Sequence, residues 1–310
     1  MTVLGVDAGG TKTVCQLADE EGRVLAEVRG PSAHLPSLGP SGVEAVLGEL
    51  IGRALAGQPG RPEAICLGMS GVDQPREAEA IRRVLASLGQ HSQALVVNDA
   101  LIALEAGAPG RAGVVVVAGT GSIAYGRDAQ HRAARTGGWG YVLADEGSGF
   151  WLGRQALRAV VRAEDRRGRP TSLTPRVLAH YDVQRPKDLA REIYHGGVKP
   201  SAIAKLAAYV EAAASEGDAV ASHILEVAAA ELALMAESVV TRLDLPDGPI
   251  VLAGGIFRVA PRLAAGLTGE LARRVPQAPV RVLDVEPAHG AVRLALALVQ
   301  GQLKVPEYVD

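Results

Sequence analysis

The sequence has few of the residues that mark disulfide-rich, metal-binding or membrane proteins. Its two cysteines, Cys15 and Cys66, cannot build a disulfide framework or a four-thiolate metal site. Each lies in an apolar, strand-like run, which predicts buried, unreactive thiols and a reducing, cytoplasmic location. No uninterrupted apolar run reaches the length of a membrane span, and the N-terminus lacks the pattern of a secretory signal, so we expect no membrane partner.

The chain also lacks an excess of either charge. Lys and Arg total 32 against 34 Asp and Glu, so no basic field is available to hold nucleic acid. With 48% hydrophobic and 21% charged residues, the composition is that of a soluble globular protein, and 310 residues suffice for two domains. A small molecule is the expected partner, and a homodimer stays open.

The first third of the chain is typical of a glycine-cornered β-meander followed by alternating strands and helices. We predict strands at 3–7, 13–17, 24–28, 64–69 and 94–97, and helices at 43–55, 77–88 and 100–106. The opening segment LGVDAGGTKT then has a counterpart in VVVAGTGSIA, which begins at Val115. Each is an apolar strand that turns on glycine with Thr or Ser and resumes as a strand, which favours two related domains.

The second half is predicted to be mostly helical. Helical periodicity covers 151–163 and 201–240, with short helices and loops at 165–200 between them. A strand at 250–253, a helix to Arg274, a strand at 280–285 and a last helix at 290–299 follow. We place residues 1–112 and 288–310 in an N-terminal domain and 113–287 in a C-terminal domain.

Three glycine turns could approach an anion closely, because no Cβ intervenes between the backbone and the ligand. The first contains Gly9 and Gly10, with a hydroxyl from Thr11 and a charge from Lys12. Asp7 precedes it, and a carboxylate beside phosphate favours a hydrated Mg²⁺ between the two. The second and third turns are Gly119–Thr120–Gly121 and Gly254–Gly255. For each turn taken alone, an ordinary hairpin or strand-to-helix turn remains an alternative.

Two further segments carry polar side chains that suit a polyhydroxylated ligand. Asp99 follows a strand and opens a helix, so it is either an N-cap or a base that accepts the proton of a substrate hydroxyl. Gly138, Trp139 and Gly140 lie in a glycine-rich loop, and Asp145 and Glu146 follow in the same loop. Capping of the next helix by Asp145 or Ser148 is compatible with ligand binding.

Taken in order, these motifs resemble the N-acetylglucosamine kinase and BadF/BcrA-type ATPase family over nearly the whole chain. The shared motifs are DAGGTKT at 7–13, GMSGVD at 68–73, NDA at 98–100, AGTGSIA at 118–124, GGWGYVLADEGSGFWLG at 137–153 and LAGGI at 252–256. The GGWG and DEGS element is the most specific of them. The glycine turns are shared with actin, Hsp70 and hexokinases.

The resemblance implies two α/β domains of the ribonuclease-H-like, actin and hexokinase type, with ATP in the cleft between them. It implies that Gly9, Gly10, Thr11 and Thr120 contact the ATP phosphates and that Gly254 and Gly255 flank adenosine. Asp99 would be the base on the 6-hydroxyl of a hexosamine, and Gly138, Trp139 and Asp145 would lie along the sugar. The expected activity is an ATP- and Mg²⁺-dependent sugar kinase, with N-acetylglucosamine as the favoured substrate.

One position departs from the family pattern. Family members commonly have Asn where this chain has His34, and the Asn helps to hold the sugar there. Imidazole is bulkier than an amide and cannot donate and accept in the same pattern. A protonated His34 would repel the ammonium group of glucosamine, which favours a neutral or acetylated sugar. An exposed loop position for His34 is the alternative.

Three other functions compete with this interpretation. A glucosamine or other hexose kinase differs only in substrate. A non-catalytic ATP- and sugar-binding sensor would keep the fold without turnover, and the presence of both Asp99 and the predicted phosphate turns disfavours it. A reductase-activating ATPase needs cysteine ligands for an iron–sulfur cluster at a subunit interface, and neither Cys15 nor Cys66 lies in such a setting.

Overall fold

The computed structural model describes residues 1–58, 60–72, 75–89 and 92–309, which form two mixed sheets and their covering helices. The first sheet has the order β3-β2-β1-β4-β5, in which β1, β4 and β5 are parallel and β2 and β3 antiparallel. Its strands are β1 (Thr2–Ala8), β2 (Lys12–Asp19), β3 (Val24–Pro31), β4 (Ala64–Met69) and β5 (Gln93–Asn98).

The second sheet repeats this arrangement. Its order is β10-β9-β6-β7-β8-β11, and β6, β9 and β10 are parallel while β7 and β8 form the antiparallel meander. The strands are β6 (Gly113–Ala118), β7 (Ser122–Arg127), β8 (Arg132–Gly137), β9 (Ile250–Ala253), β10 (Val280–Val282) and β11 (Glu307–Tyr308). The sequence similarity between LGVDAGGTKT and VVVAGTGSIA therefore reflects two sheets that share the same arrangement of a meander and parallel strands.

Helices follow the strands in both halves. In the first half they are α1 (Leu35–Leu55), α2 (Pro75–Ser87) and α3 (Asp99–Gly107). The second half contributes α4 (Gly149–Glu164), α5 (Leu173–His180), α6 (Leu189–His195), α7 (Pro200–Ala204), α8 (Ala207–Ser215), α9 (Ala219–Leu243), α10 (Ile256–Val259) and α11 (Pro261–Arg274). A 3₁₀ turn lies at Pro186–Asp188, and α12 (Ala288–Val299) follows the last strand of the parallel set.

Two helices, α3 and α12, lie between the sheets and join them. One apolar core contains side chains from both sheets together with these helices, and a further core lies on the outer side of each sheet. The packing at α12 is close enough to require glycine: a Cβ on Gly290 would lie 1.9 Å from the carbonyl oxygen of Ile102, and one on Gly5 would lie 2.5 Å from the amide nitrogen of Val292. The last helix thus packs on the first sheet.

The proposed division of the chain at 112/113 stays a prediction. One contact of the C-terminal segment runs against it, because β11 pairs with β8 of the second sheet. The segment 288–310 therefore contributes to both halves.

The structure differs from the predicted elements at several places. The first helix begins at Leu35 rather than at the predicted residue 43, and it bends at Gly39, whose φ is +64°. The helix predicted at 201–240 is three helices, interrupted near 205–206 and 216–218. Strands β8 and β11 were not predicted, because β8 carries Arg, Thr and Gly rather than an apolar run. Asp73 of the GMSGVD motif lies outside the described residues.

One helix, α9, is long and apolar enough to cross a membrane by length and composition alone. It nevertheless contributes twelve buried side chains to the protein, and they belong to the core of the second half. An apolar helix face that is buried in this way is typical of the core helix of a globular protein.

Candidate active site

Two of the three glycine turns face each other. The first connects β1 to β2 and the second connects β6 to β7, at equivalent places in the two sheets. The hydroxyl oxygens of Thr11 and Thr120 are 3.0 Å apart. Two turns with accessible backbone and hydroxyl groups thus border one cleft between the halves, as the sequence predicts for a polyphosphate site.

Each turn is held by its own backbone and by a neighbouring segment. The amide of Gly9 donates to the carbonyl of Lys12 at 3.1 Å, and the amide of Gly119 donates to the carbonyl of Gly121 at 2.9 Å. The hydroxyl of Ser32 donates to the carbonyl of Gly9 at 2.9 Å. These bonds fix the turns before a ligand arrives, which reduces the entropy cost of binding.

The second turn also lies at the N-terminus of α4. The amide of Gly149 donates to the carbonyl of Gly119 at 2.8 Å, and that of Phe150 to the carbonyl of Thr120 at 3.2 Å. Ser148 caps the helix through its hydroxyl, which accepts from the amide of Trp151 at 3.1 Å. Of the two predicted caps, Ser148 is therefore the one used. The partial positive charge of a helix N-terminus adds to the attraction of this turn for anions.

Asp7 and Asp99 form an acidic pair at the carboxyl ends of β1 and β5. Asp7 is 8% exposed, and its pKa is raised to about 7, first by burial and then by the charge of Asp99. Lys12 opposes this shift and Glu286 adds to it. Like charges held together in a poorly hydrated place indicate a site that a cation would stabilise.

Asp99 itself is not the cap of α3. The side chain of Asn98 accepts from the amide of Ala100 at 2.8 Å, so Asn98 is the cap and Asp99 occupies the first helical position. Asp99 is half-buried beside the cleft. The alternative in which Asp99 serves only as a helix cap is therefore wrong, and its role as a base stays a prediction.

Lys12 is engaged by a residue that the sequence did not single out. Its ammonium lies 2.7 and 3.0 Å from the two carboxylate oxygens of Glu286, and Arg29 approaches the same carboxylate at 2.9 Å. Burial raises the pKa of Glu286, but hydrogen bonding and charge from Lys12, with charge from Arg29, hold it below its ordinary value. Glu286 lies just before α12, so these ion pairs connect the chain returning from the second half to the first glycine turn.

The third glycine turn follows β9. Gly254 has a φ of +108°, and a Cβ there would lie 2.1 Å from the carbonyl oxygen of Ala118. The position thus admits only glycine, and it brings the third turn against the strand that leads to the second. Gly255 is exposed with open space around its Cα, which leaves room for a ligand to approach.

The loop from Gly137 to Gly140 leaves β8 with positive φ at Gly137, Gly138 and Gly140. The amide of Gly138 donates to the carbonyl of Ser122 at 3.0 Å, which fixes the start of the loop beside the second turn. Trp139 is 65% exposed, and the guanidinium of Arg135 lies 4.9 Å from the centre of its ring. An exposed ring held from behind is suited to stacking on a sugar.

Asp145 and Glu146 lie behind the second turn. A carboxylate oxygen of Asp145 accepts from the amide of Ser122 at 3.2 Å, and the hydroxyl of Ser122 donates to the carbonyl of Glu146 at 2.7 Å. Asp145 is 7% exposed, and burial raises its pKa despite that hydrogen bond. Asp145 therefore supports the turn, and its predicted contact with a sugar remains a prediction.

His34 is half-buried and sits at the start of α1. Its Nδ1 lies 2.7 Å from the hydroxyl of Ser37, and its backbone amide donates to the hydroxyl of Ser32, which in turn holds Gly9. The fully exposed alternative is thus wrong. Burial lowers the pKa of His34, so the imidazole is neutral near pH 7 and the expected repulsion of an ammonium group does not arise there.

Sequence reasoning missed three residues of this site: Ser32, Arg135 and Glu286. None has a local pattern that marks it, since Ser32 and Glu286 act through residues of other elements and Arg135 lies in a strand that was not predicted. The Lys12–Glu286 pair spans 274 positions. Only the sequence proximity of Ser32 to His34 could have pointed to the first of them.

Comparisons with known proteins agree with this arrangement. The chain is 37% identical over 300 residues to the N-acetylmuramic acid/N-acetylglucosamine kinase of Clostridium acetobutylicum, with 94% of this chain and 97% of that protein covered. It is 31% identical over 309 residues to the N-acetyl-D-glucosamine kinase of Dictyostelium discoideum, with the same two coverages.

Solved structures show the same fold. A candidate N-acetylglucosamine kinase from Chromobacterium violaceum matches with a TM-score of 0.76 at 28% identity, covering 95% of this chain and 98% of that one. A ROK family glucokinase from Streptomyces griseus, solved with glucose and AMPPNP, matches with a TM-score of 0.63 at 19% identity, covering 95% and 98%. Residues 4–295 match the model of the BadF/BadG/BcrA/BcrD ATPase family. The protein is therefore a member of the BadF/BadG/BcrA/BcrD ATPase family.

Proposed function

We propose that this protein is an ATP-dependent kinase that phosphorylates the 6-hydroxyl of a hexosamine, with N-acetylglucosamine as the substrate. The observation that carries the proposal is the meeting of Thr11 and Thr120 at 3.0 Å, beside the acidic pair Asp7 and Asp99. Phosphate-binding groups and a candidate base then border one cleft. Phosphoryl transfer needs little else from a protein, because positioning and electrostatic stabilisation supply most of the catalysis.

The donor phosphates would lie between the two turns. Backbone amides around Gly9, Gly10, Gly119 and Gly121, with the hydroxyls of Thr11 and Thr120, would bind their oxygens. Gly254 and Gly255 would lie along adenosine. In this proposal Lys12, now paired with Glu286, would add its charge at the edge of the phosphates.

Mg²⁺ fits the chemistry of Asp7. Its pKa is raised first by burial and then by the charges of Asp99 and Glu286, which the charge of Lys12 only partly offsets. A hydrated Mg²⁺ brought in with ATP would neutralise developing charge on the phosphates and stabilise the ionised Asp7 through water. Asp7 would hold that water shell in place.

Asp99 would accept the proton of the 6-hydroxyl as the oxygen attacks the terminal phosphate. What supports this role is its place at the first position of α3, next to a cap made by Asn98, and the effect of its charge on Asp7. Trp139 and Gly138 would flank the sugar ring, and His34 would face it from the first half. With the imidazole neutral, size and hydrogen bonding at His34, rather than charge, would select the sugar.

The two named relatives support an acetylated amino sugar, since one is an N-acetylmuramic acid/N-acetylglucosamine kinase and the other an N-acetyl-D-glucosamine kinase. The reductase-activating alternative finds no support in the cysteines. Cys15 and Cys66 are fully buried in β2 and β4, and burial raises the pKa of both thiols. Such thiols suit a reducing cytoplasm and are out of reach of a cluster at a subunit interface.

A screen of ADP release tests the proposal. Purified protein with ATP and Mg²⁺ would be offered N-acetylglucosamine, N-acetylmuramic acid, glucosamine and glucose, each with a no-sugar control. We expect the highest kcat/KM for N-acetylglucosamine, with the phosphate found on the 6-oxygen by NMR. ATP turnover that no sugar stimulates would reject a kinase and favour the sensor alternative.

A further inference from the structure

A surface pocket of about 240 Å³ lies in the second half, between α4 and α9, outside the cleft described above. Its polar wall consists of Arg158 and Arg162 from α4, Arg169 from the segment after α4, and His223 from α9, with Gln155 beside them. Nine residues line the pocket, all within the described part of the chain, and none of them is Asp or Glu. Its permanent charges are therefore the three arginine cations.

The charge of this pocket contrasts with that of the whole protein. The stretch 154–169 contains six arginines and two acids, whereas the chain has a net charge of -2. One of the two acids, Asp165, already pairs with Arg167 at 2.6 Å. On the α9 side, Asp218 accepts the amides of Val220 and Ala221, and Glu226 lies 3.7 Å from Nδ1 of His223. The positive potential is thus concentrated on the α4 side.

The pocket is built by a fixed turn at the end of α4. The amides of Arg167 and Gly168 donate to the carbonyl of Arg162 at 2.8 and 2.9 Å. The guanidinium of Arg162 donates to the carbonyl of Arg167 at 3.0 Å. These bonds fold the chain back over the last turn of α4 and place Arg169 on the same pocket as Arg158.

The helix that supplies two of the arginines also reaches the cleft. The N-terminus of α4 donates to the carbonyls of Gly119 and Thr120, as described above. With 16 residues, α4 spans about 24 Å from the second phosphate turn to the pocket. A ligand bound at one end would therefore act on a rigid element that contacts the other site.

We propose that this pocket binds a small phosphomonoester and modulates the phosphate turns through α4. Guanidinium groups match the geometry of phosphate oxygens, and several together suit a dianion. The volume is below the usual range for drug-sized ligands, so it suits a phosphate with a small body rather than a nucleotide. The proposal goes beyond the activity of the cleft and does not depend on which sugar is phosphorylated there.

The imidazole of His223 provides a local reporter. Its NMR resonances, assigned with His223→Gln among the seven histidines, would be followed while glucose 6-phosphate, inorganic phosphate or glucose is added at ~0.15 M salt. Saturating AMPPNP would be present so that the cleft turns are occupied. We expect a saturable shift with glucose 6-phosphate and none with glucose. A tighter response to inorganic phosphate would identify the free anion as the ligand and overturn the phosphomonoester.

Two double variants complete the test. In R158Q/R169Q we expect the affinity for glucose 6-phosphate to fall at least tenfold, while Arg162, which holds the turn, is kept. The control R262Q/R281Q removes the same charge from exposed positions elsewhere in the second half and should bind like the wild type. Equal affinities in both variants would overturn the site.

Steady-state kinetics test whether a ligand in the pocket modulates the turns at the other end of α4. We expect glucose 6-phosphate to change kcat/KM for ATP at least twofold in the wild type and in R262Q/R281Q, but not in R158Q/R169Q. Binding at His223 with no such change would overturn the coupling through α4. If no sugar is phosphorylated at all, the proposed function fails, and the His223 titration still decides whether the pocket is an anion site.

Discussion

Asp7→Asn is expected to make the nucleotide-free protein more stable and to abolish its activity. The folded protein raises the pKa of Asp7 from 3.8 to about 7 by burial and by the charge of Asp99. A pKa difference of about 3 between the folded and unfolded states means that ionised Asp7 destabilises the folded protein by about 4 kcal/mol at pH 8. Asparagine has the same shape without the charge, so it should recover much of that free energy.

The pH dependence follows from the sign of the shift. Because the pKa of Asp7 is higher in the folded protein than in the unfolded chain, the folded protein keeps a proton that the unfolded chain loses between about pH 4 and pH 7. The contribution of Asp7 to stability is therefore greatest below pH 4 and is lost as the pH rises through 7. Asp7→Asn should match the wild type at pH 4 and exceed it at pH 8.

Urea unfolding at several pH values, without nucleotide or Mg²⁺, measures this difference. Asp128→Asn is the matched control, because Asp128 is also buried but its pKa is lowered: burial raises it, and hydrogen bonds from Arg132 and Gln130 outweigh that effect. Relative to the wild type, Asp128→Asn should become less stable as the pH rises, whereas Asp7→Asn should become more stable. Equal unfolding free energies for Asp7→Asn and the wild type at pH 8 would refute the reasoning.

Three further changes test other parts of the site. Asp99→Asn should lower kcat roughly 10²–10⁴-fold with ATP binding nearly intact, and near-normal turnover would exclude Asp99 as the base. Gly254→Ala should cost more than about 2 kcal/mol of unfolding free energy and raise KM for ATP, because its Cβ meets a carbonyl at 2.1 Å, whereas Gly255→Ala should be tolerated. His34→Asn should change the ratio of kcat/KM between N-acetylglucosamine and glucose across pH 6 to 8; a change below about twofold would place His34 outside the site.

The local elements of this fold could be predicted because their causes are local. Strands such as β1 and β4 are buried along nearly their whole length, and their apolar runs end at small residues. Glycine with Thr or Ser then allows a tight turn in any context. The first two glycine turns and the loop from Gly137 to Gly140 were predicted from these patterns and from the family resemblance that they carry.

Elements with weaker local causes were missed or misplaced. β8 is a strand because β7 and β11 pair with its backbone, and its own side chains do not predict it. The helix predicted at 201–240 is divided by short turns that Ala-rich periodicity does not show. In α3 the cap is Asn98 rather than Asp99, a choice between two adjacent polar residues that only the backbone geometry makes.

The sequence by itself determined which segments could bind an anion or a sugar, and the tertiary structure alone decided which of them meet. Thr11 and Thr120 are 109 positions apart, and they come within 3.0 Å because two sheets of the same topology pack on α3 and α12. The same packing pairs Lys12 with Glu286 and brings Asp7 near enough to Asp99 for the charge of Asp99 to raise its pKa. The backbone conformations open to a residue depend on its neighbours along the chain. Its burial and its charged partners depend on residues that approach only when the whole chain has folded.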